Sequence, residues 1–379
     1  RESPRMLRVG RPVLAILHNA QPCSAMALAQ RSAITQAASR GQAGGSRHRS
    51  TTAYEIDPSR VTITQGADGV AEVRLSRPDK MNALDLPMFR SIAAAARRLL
   101  ADRSVRAVVL HGEGRAFCAG LDVKSVAVSL QAQANLKELL DRPEGEISNL
   151  AQDVGYLWRR VPAPVIAATH GVCLGGGFQI ALGADLRVAT PACRFSVMEA
   201  KWGLIPDMSA TVSLRERVPR DVALELVLTG RVFDAAEAVR LGLVTRIAED
   251  PLEEARRLAR EISTRSPDAT AAAKRLTHAT HTEACEEARA LHLETALQRR
   301  LLGGWNQVAI SAKGLGAPPL LVPGFRRRSA LWDAEADTEA EAELRAMLDG
   351  EELDFDPAAD VAGVDAAAAA SAAAPRSAA

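Results

Sequence analysis

The 379-residue chain is short of net charge, of long apolar runs and of paired cysteines, and each shortage removes a class of function. Net charge at pH 7 is +1, so no global field points to nucleic acid or to an anionic membrane surface. No uninterrupted apolar stretch approaches the roughly 18 residues that a membrane span requires. The five cysteines, Cys23, Cys118, Cys173, Cys193 and Cys285, are odd in number and scattered. None stands in a C-x-x-C and none joins histidines at zinc spacing. No metal site is expected, and a reduced compartment is the simpler reading. No internal repeat of about 20–50 residues is visible either.

What is present is ordinary for a globular protein: 47% apolar and 25% charged residues. The neutral total conceals an asymmetry. Residues 1–50 carry eight Arg and one acid, Glu2, whereas residues 329–379 carry thirteen Asp or Glu against two Arg. Residues 1–52, rich in Arg, Ser, Ala and Gln, read as a transit peptide to be excluded from the fold. The mitochondrial matrix is the expected destination, with a plastid as the alternative. Residues 329–379 read as an acidic, Ala-rich tail without an apolar face wide enough to demand a core. This leaves a core over residues 53–250 and a helical region over 251–328.

Between the ends, strands and helices alternate. Val61–Thr64 and Ala71–Leu75 read as paired strands, Leu86–Leu100 as a helix, and Arg106–His111 and Pro164–Thr169 as short buried strands. Helices are predicted over Asp153–Val161, Ser209–Arg217, Asp221–Thr229 and Asp234–Leu241. Strands are predicted at Leu186–Ala189, Phe195–Val197 and Val244–Ile247. Residues 252–302 read as almost wholly helical, packed elsewhere on the body or on a neighbouring subunit. Strands apolar on both faces and separated by helices imply an α/β fold with a covered sheet.

Two strand-to-loop junctions carry chemistry. After the strand ending at His111 comes Gly112-Glu-Gly-Arg-Ala-Phe-Cys-Ala-Gly-Leu-Asp122, where small residues at Ala119 and Gly120 leave the Leu121 N–H open to a ligand. After Thr169 comes His170-Gly-Val-Cys-Leu-Gly175-Gly-Gly177-Phe-Gln179, whose glycines open a helix and expose unpaired N–H groups at its positive end. An oxygen gaining negative charge suits such a site. An isolated glycine triplet is more often a tight turn, and this one is neither a P-loop nor a dinucleotide fingerprint.

In order along the chain, RPDKMNAL (77–84), AFCAGLD (116–122), Gly171 with Gly175–Gly177, Phe195…Glu199…GLIP (203–206) and LTG (228–230) with AxEA (235–238) and GLV (242–244) resemble the enoyl-CoA hydratase/isomerase, or crotonase, family. The resemblance runs from about Val61 to Phe325. It implies a spiral of ββα units whose C-terminal helices build a homotrimer or homohexamer. The implied substrate is an acyl-CoA, so coenzyme A enters as part of the substrate and no cofactor is bound covalently. By the same analogy Leu121 and Gly176 N–H form an oxyanion hole. Lys80, Asn82, Ala83, Leu84, Ala119, Gly120, Asp122, Gly175 and Gln179 line the substrate.

The chain departs from the hydratase pattern. Of the two glutamates that position water in hydratases, the second matches Glu199 and the first falls on Gln179, whose amide can hold a water but cannot exchange a proton. A different second acid, Asp207, stands eight residues after Glu199. That pairing resembles the Δ3,5-Δ2,4-dienoyl-CoA isomerases, although these carry aspartate where Gln179 stands. Glu199, among Phe195, Val197 and Trp202, is expected to have a raised pKa; Asp207 has the competing role of helix cap. The expected reaction is a 3,5- to 2,4-dienoyl-CoA shift in fatty-acid β-oxidation. The alternatives are hydration or another family reaction using Glu199 alone, and a non-catalytic subunit. Weaker candidates are His170, Cys118 and Cys173, which read as structural. Lys201, Lys274 and Lys313 are weaker candidates for the CoA phosphates, and Phe325 with Arg326–Arg328 for the adenine.

Overall fold

The computed structural model describes residues 54–127, 130–282 and 285–332. The transit-peptide reading of 1–52 lies outside them, as does all but the first few residues of the tail.

Strands β1 (Val61–Gln65) and β2 (Val70–Leu75) pair antiparallel, Val61 opposite Leu75 and Gln65 opposite Ala71. Gly69 closes the turn between them at φ 79°, a conformation that glycine adopts without a Cβ penalty. The strands β3 (Ala107–Gly112), β4 (Val165–Thr169), β6 (Leu186–Ala189) and β9 (Arg246–Ile247) then add in parallel, giving the order β1-β2-β3-β4-β6-β9. A second sheet of β5 (Val172–Leu174), β7 (Arg194–Ser196) and β8 (Phe233–Asp234) stands beside it in the order β5-β7-β8.

Every residue of β3 and β4 is buried, and the period of two divides them between two cores. Val108, Leu110, Val165 and Ala167 join one cluster with Met88, Phe89, Ile92, Leu99 and Trp158, from the helices Leu86–Ala101 and Leu150–Arg160. Their alternates Ala107, Val109, Ile166 and Ala168 join the other with Ala255, Leu258 and Ala259, from the helix Pro251–Ser263. Of the two expectations for the final third, its first helix takes the body: it covers the second face of the main sheet. The following helices, Pro267–Thr280 and Glu287–Leu301, share a small core of Ala271, Ala272, Leu293, Leu297 and Trp332.

Helix ends follow local chemistry. Asp85 caps the helix Leu86–Ala101 by accepting from Met88 N at 2.9 Å, with a proline in its first turn. Asn149 and Gln152 form a reciprocal capping box at the start of Leu150–Arg160. Sequence patterning missed the short helices Val123–Ala127 and Ala132–Leu140, the helix Trp305–Gly314, and strands β5 and β8.

The helix Gly176–Gly183 is buried on all sides and rests on Leu150–Arg160 through two glycines. A Cβ at Gly183 would lie 1.9 Å from Gly155 O, and one at Gly155 would lie 2.4 Å from Met208 O. Backbone cannot yield as a flexible side chain does, so Gly183→Ala should destabilise by at least the ~1–3 kcal/mol typical of overpacking. Thermal unfolding measures this; an unchanged melting temperature would contradict the packing described.

Candidate active site

The glycine-rich loop and the segment after β3 are held side by side by a short parallel ladder. Phe117 N donates to His170 O at 2.9 Å, Cys118 N to Val172 O at 3.1 Å, and Leu174 N to Cys118 O at 3.0 Å, making an isolated bridge between Cys118 and Cys173. Counting three residues along both chains brings Leu121 level with Gly176. The approach is close: a Cβ at Gly120 would lie 3.7 Å from Gly176 N and 2.9 Å from Leu174 O. Gly120 (φ 91°) and Gly175 (φ 50°) both hold conformations that side chains rarely adopt.

Neither the Leu121 N–H nor the Gly176 N–H has an acceptor among the described residues, although the residues flanking Leu121 are pinned. Leu84 N donates to Gly120 O at 2.8 Å and Asp122 N to Leu84 O at 3.0 Å. Gly176 begins its helix, where the first N–H groups have no partner within the helix. Two adjacent main-chain donors are thus left open among the described residues.

Glu199 begins a single 3₁₀ turn, Glu199–Trp202, just after β7. β7 runs parallel to β5 with Ser196 beside Leu174, and Gly175 N donates to Ser196 O at 2.8 Å. This register sets the carboxyl against the glycine loop, where a Cβ at Gly175 would come within 3.3 Å of Glu199 Oε1. Oε1 accepts from Gln179 Nε2 at 2.6 Å, while the buried Oε2 has no partner among the described residues. Burial raises the Glu199 pKa; the bond from Gln179 pulls it back in part, and the charge of Asp207 raises it again. Asp207 is also raised, chiefly by loss of hydration around its carboxyl, although the residue as a whole is exposed.

Gln179 departs from expectation. It is fully buried, and its amide oxygen and one N–H are engaged within the protein. While Nε2 serves Glu199, Oε1 accepts from Met208 N at 2.9 Å and from Ala210 N at 3.2 Å. Ala210 opens the helix Ala210–Leu214, whose N-cap residue is Ser209 at φ 75° without a side-chain cap. Gln179 therefore takes up the N–H groups of the competing helix-cap role weighed for Asp207, leaving the Asp207 carboxyl outside that role. Trp202 is likewise not a wall around Glu199, being 61% exposed.

The remaining candidates separate clearly. Lys80 is exposed beside the loop, whereas Asn82 is fully buried and spends its side chain within the fold. The Ala83 carbonyl and Asp122 Oδ2 each accept from Arg77 Nη1 at 2.9 Å. Ala119 N donates to Met81 O at 2.9 Å. His170 Nε2 lies 2.9 Å from Gly114 O, a structural contact. Lys274 is not available to a phosphate: it is buried, with Nζ 2.7 Å from Asp185 Oδ2 and 3.0 Å from Trp158 O. Lys201 and Lys313 are exposed. Phe325 stacks under the Arg106 guanidinium at 4.5 Å, and Arg328 N donates to Arg103 O at 3.0 Å. These contacts are with residues just before β3, at the end of the strand opposite the loop carrying Leu121. Among the described residues no group of three or more His, Cys, Asp or Glu could hold a metal, and no helix is long and apolar enough to cross a membrane.

The comparisons with known proteins agree with this geometry. Residues 65–302 match the family model for enoyl-CoA hydratase/isomerase. The chain is 34% identical over 245 residues to the enoyl-CoA hydratase EchA19 of Mycobacterium tuberculosis, covering 62% of this chain and 89% of that protein. It is 33% identical over 245 residues to the carnitinyl-CoA dehydratase of Proteus mirabilis, covering 60% and 89%. The solved enoyl-CoA hydratase of Mycobacterium smegmatis superposes with a TM-score of 0.57 at 30% identity, covering 67% of this chain and 96% of that one. The fold and the paired open N–H groups define a crotonase-type enzyme. The chain belongs to the enoyl-CoA hydratase/isomerase family of fatty-acid metabolism.

Two predictions follow from the burial of the site. Burial holds Cys118 and Cys193 up at about 12 and pushes Cys173 well above its usual value, so thiolate is scarce at all three. Peptide mapping after maleimide treatment of folded protein at pH 8 should find them unmodified and the half-exposed Cys285 labelled; rapid labelling of Cys118 would contradict the packing. A carboxyl whose folded pKa is raised contributes stability below its unfolded pKa, and that contribution is lost as pH rises through the folded value. Glu199→Gln keeps an acceptor for Gln179 and should raise the melting temperature at pH 7, with the gain vanishing below the ordinary carboxylate range. A gain that instead grew at low pH would refute the sign.

Proposed function

We propose that this protein isomerises 3,5-dienoyl-CoA to 2,4-dienoyl-CoA, with Asp207 as the base at C2 and Glu199 as the acid at C6. The observation that carries this is the occupation of Gln179. Its amide braces Glu199, Met208 and Ala210 and does not supply the second carboxylate of hydration. Asp207, freed from capping, supplies a second acid whose charge is felt at Glu199.

Asp207 takes a proton from C2, and the electron pair delocalises over the diene and the thioester. The thioester oxygen becomes an enolate oxygen held by the Leu121 and Gly176 N–H groups, which lie where charge develops. Glu199 then gives its proton to C6, and the double bonds settle at C2 and C4. Because Gln179 donates to Oε1, a protonated Glu199 carries its proton on Oε2, the oxygen without a partner. Burial favours that protonated acid. Afterwards Glu199 is ionised and Asp207 protonated, and the exposure of Asp207 gives solvent a route to exchange the proton.

A second reading, hydration with Glu199 alone, is favoured by the names of relatives such as the hydratase EchA19. In that case the free Oε2 would hold the attacking water. The two are separated by assaying 3,5-dienoyl-CoA isomerisation and 2-enoyl-CoA hydration with wild type, Asp207→Asn and Glu199→Gln. Isomerisation should be the faster reaction, and each variant should lose it by about 10²–10⁴-fold. Undiminished isomerisation in Asp207→Asn removes Asp207 from the mechanism, and dominant hydration lost only in Glu199→Gln establishes the second reading.

The same proposal extends to assembly and address. Exposed Leu291, Leu302, Trp305 and Val308 on the C-terminal helices support a trimer or hexamer, since contiguous exposed apolar surface marks interfaces. The Arg-rich residues 1–52 support a mitochondrial matrix address, with a plastid as the alternative. Light scattering at micromolar concentration should report three or six copies; a stable monomer with activity intact would refute the assembly.

A further inference from the structure

We propose that Asn82 is a positioning residue: its side-chain amide sets the orientation of the Leu121 N–H and so governs how strongly the site stabilises an enolate. This rests on the acyl-CoA enolate reading, but not on whether the product is a dienoyl or a hydrated thioester.

Asn82 is fully buried and holds a left-handed backbone at φ 55°, directly after Met81 at φ 51°. Asparagine tolerates that region better than most residues. Its Nδ2 donates to three main-chain carbonyls, Glu113 O at 2.9 Å, Ala116 O at 2.9 Å and Phe117 O at 3.1 Å, while Oδ1 accepts from Arg77 N at 2.8 Å. Two N–H bonds therefore serve three carbonyls, all belonging to the turn that leads from β3 towards Leu121. The turn closes on the amide without slack: a Cβ at Gly112 would lie 2.5 Å from Phe117 O, 2.6 Å from Ala116 O and 2.8 Å from Asn82 Nδ2.

The contact is reciprocal. Cys118 Sγ donates to Asn82 O at 3.1 Å. Neighbouring backbone bonds carry the same join forward, from Ala119 N to Met81 O and from Leu84 N to Gly120 O. From Glu113 to Asp122 the loop is thus fastened to residues 81–84 on one side and to residues 170–174 on the other. Leu121 N–H stays open between two fastened neighbours, and its direction is inherited from them. An apolar residue at position 82 would leave three carbonyls without a donor, and an ionised aspartate would oppose them with charge.

The test uses the full chain and acetoacetyl-CoA, a β-ketoacyl thioester whose enolate absorbs in the near ultraviolet. Asn82→Gly removes the amide while keeping the left-handed backbone accessible, Cys118→Ala loosens the same join more gently, and Val109→Ala weakens the opposite core as a stability control. The pH of half-enolisation of the bound ligand is measured, together with the dissociation constant of hexanoyl-CoA. In Asn82→Gly, half-enolisation should need about tenfold to a hundredfold less acid, the scale of a small misplacement, with hexanoyl-CoA binding changed less than about threefold. Cys118→Ala should move in the same direction by less, and Val109→Ala should lower only the melting temperature. Half-enolisation unmoved in Asn82→Gly, or in Cys118→Ala should the former not fold, would overturn the inference. So would a loss of hexanoyl-CoA binding that accounts for the whole effect. Failure of wild type to form any enolate would instead sink the acyl-CoA reading itself.

Discussion

A folded protein seldom leaves buried main-chain donors unpaired, because each costs about 1–3 kcal/mol. Here two adjacent N–H groups, on Leu121 and Gly176, have no acceptor among the described residues, and much of the surrounding structure keeps them so. The short ladder between Cys118 and Cys173 holds two loops in parallel register. Gly120 and Gly175 supply the positive φ values that let those loops approach. A continuous α-helix satisfies most of its own N–H groups; only by opening a helix at Gly176 is the second donor left over. The sheet contributes by ending β3 and β4 at the same level, so that both loops leave from one edge.

The carboxyls answer to the same enclosure. Burial raises the Glu199 pKa, and loss of hydration raises that of Asp207 although the residue stays exposed. Gln179 links them: its nitrogen fixes one oxygen of Glu199 and its oxygen fixes the backbone immediately after Asp207. A glutamate at position 179 would set a second carboxyl 2.6 Å or so from Glu199, where the pair must share a proton. An amide gives fixed orientation without that second titration. Position 179 thus serves as a brace between Glu199 and the backbone after Asp207.

Much of the fold was legible because the signals were local. The strands around Val61, Ala71, Ala107 and Val165 and the helix from Leu86 announce themselves by apolar period and by caps within a few residues. The helix Pro251–Ser263 announced itself too, but not the sheet face it covers, since that partner lies about 80–150 residues earlier. The short elements β5, β8 and Val123–Ala127 have too few residues for any period to show. In the site, the small residues at 119 and 120 and the glycine run marked the two loops, whereas the pairing of Leu121 with Gly176 came from the family resemblance. The work of Gln179, Asn82 and Lys274 was not visible, since each is defined by a hydrogen-bond partner that only folding brings near. Trp202, read as part of an apolar wall, is instead 61% exposed.

The central claim is that Leu121 and Gly176 together polarise a thioester carbonyl. Isotope-edited infrared spectroscopy of a bound, unreactive acyl-CoA carrying ¹³C at the thioester carbon reads that polarisation directly. The account predicts a carbonyl band moved to lower frequency than in water, because two fixed donors in a buried site pull on the oxygen more strongly than mobile solvent does. In Gly176→Pro, which removes one donor, the band should move back towards its solution frequency. A band at its solution frequency in the wild-type complex, or one that Gly176→Pro leaves in place, would contradict it.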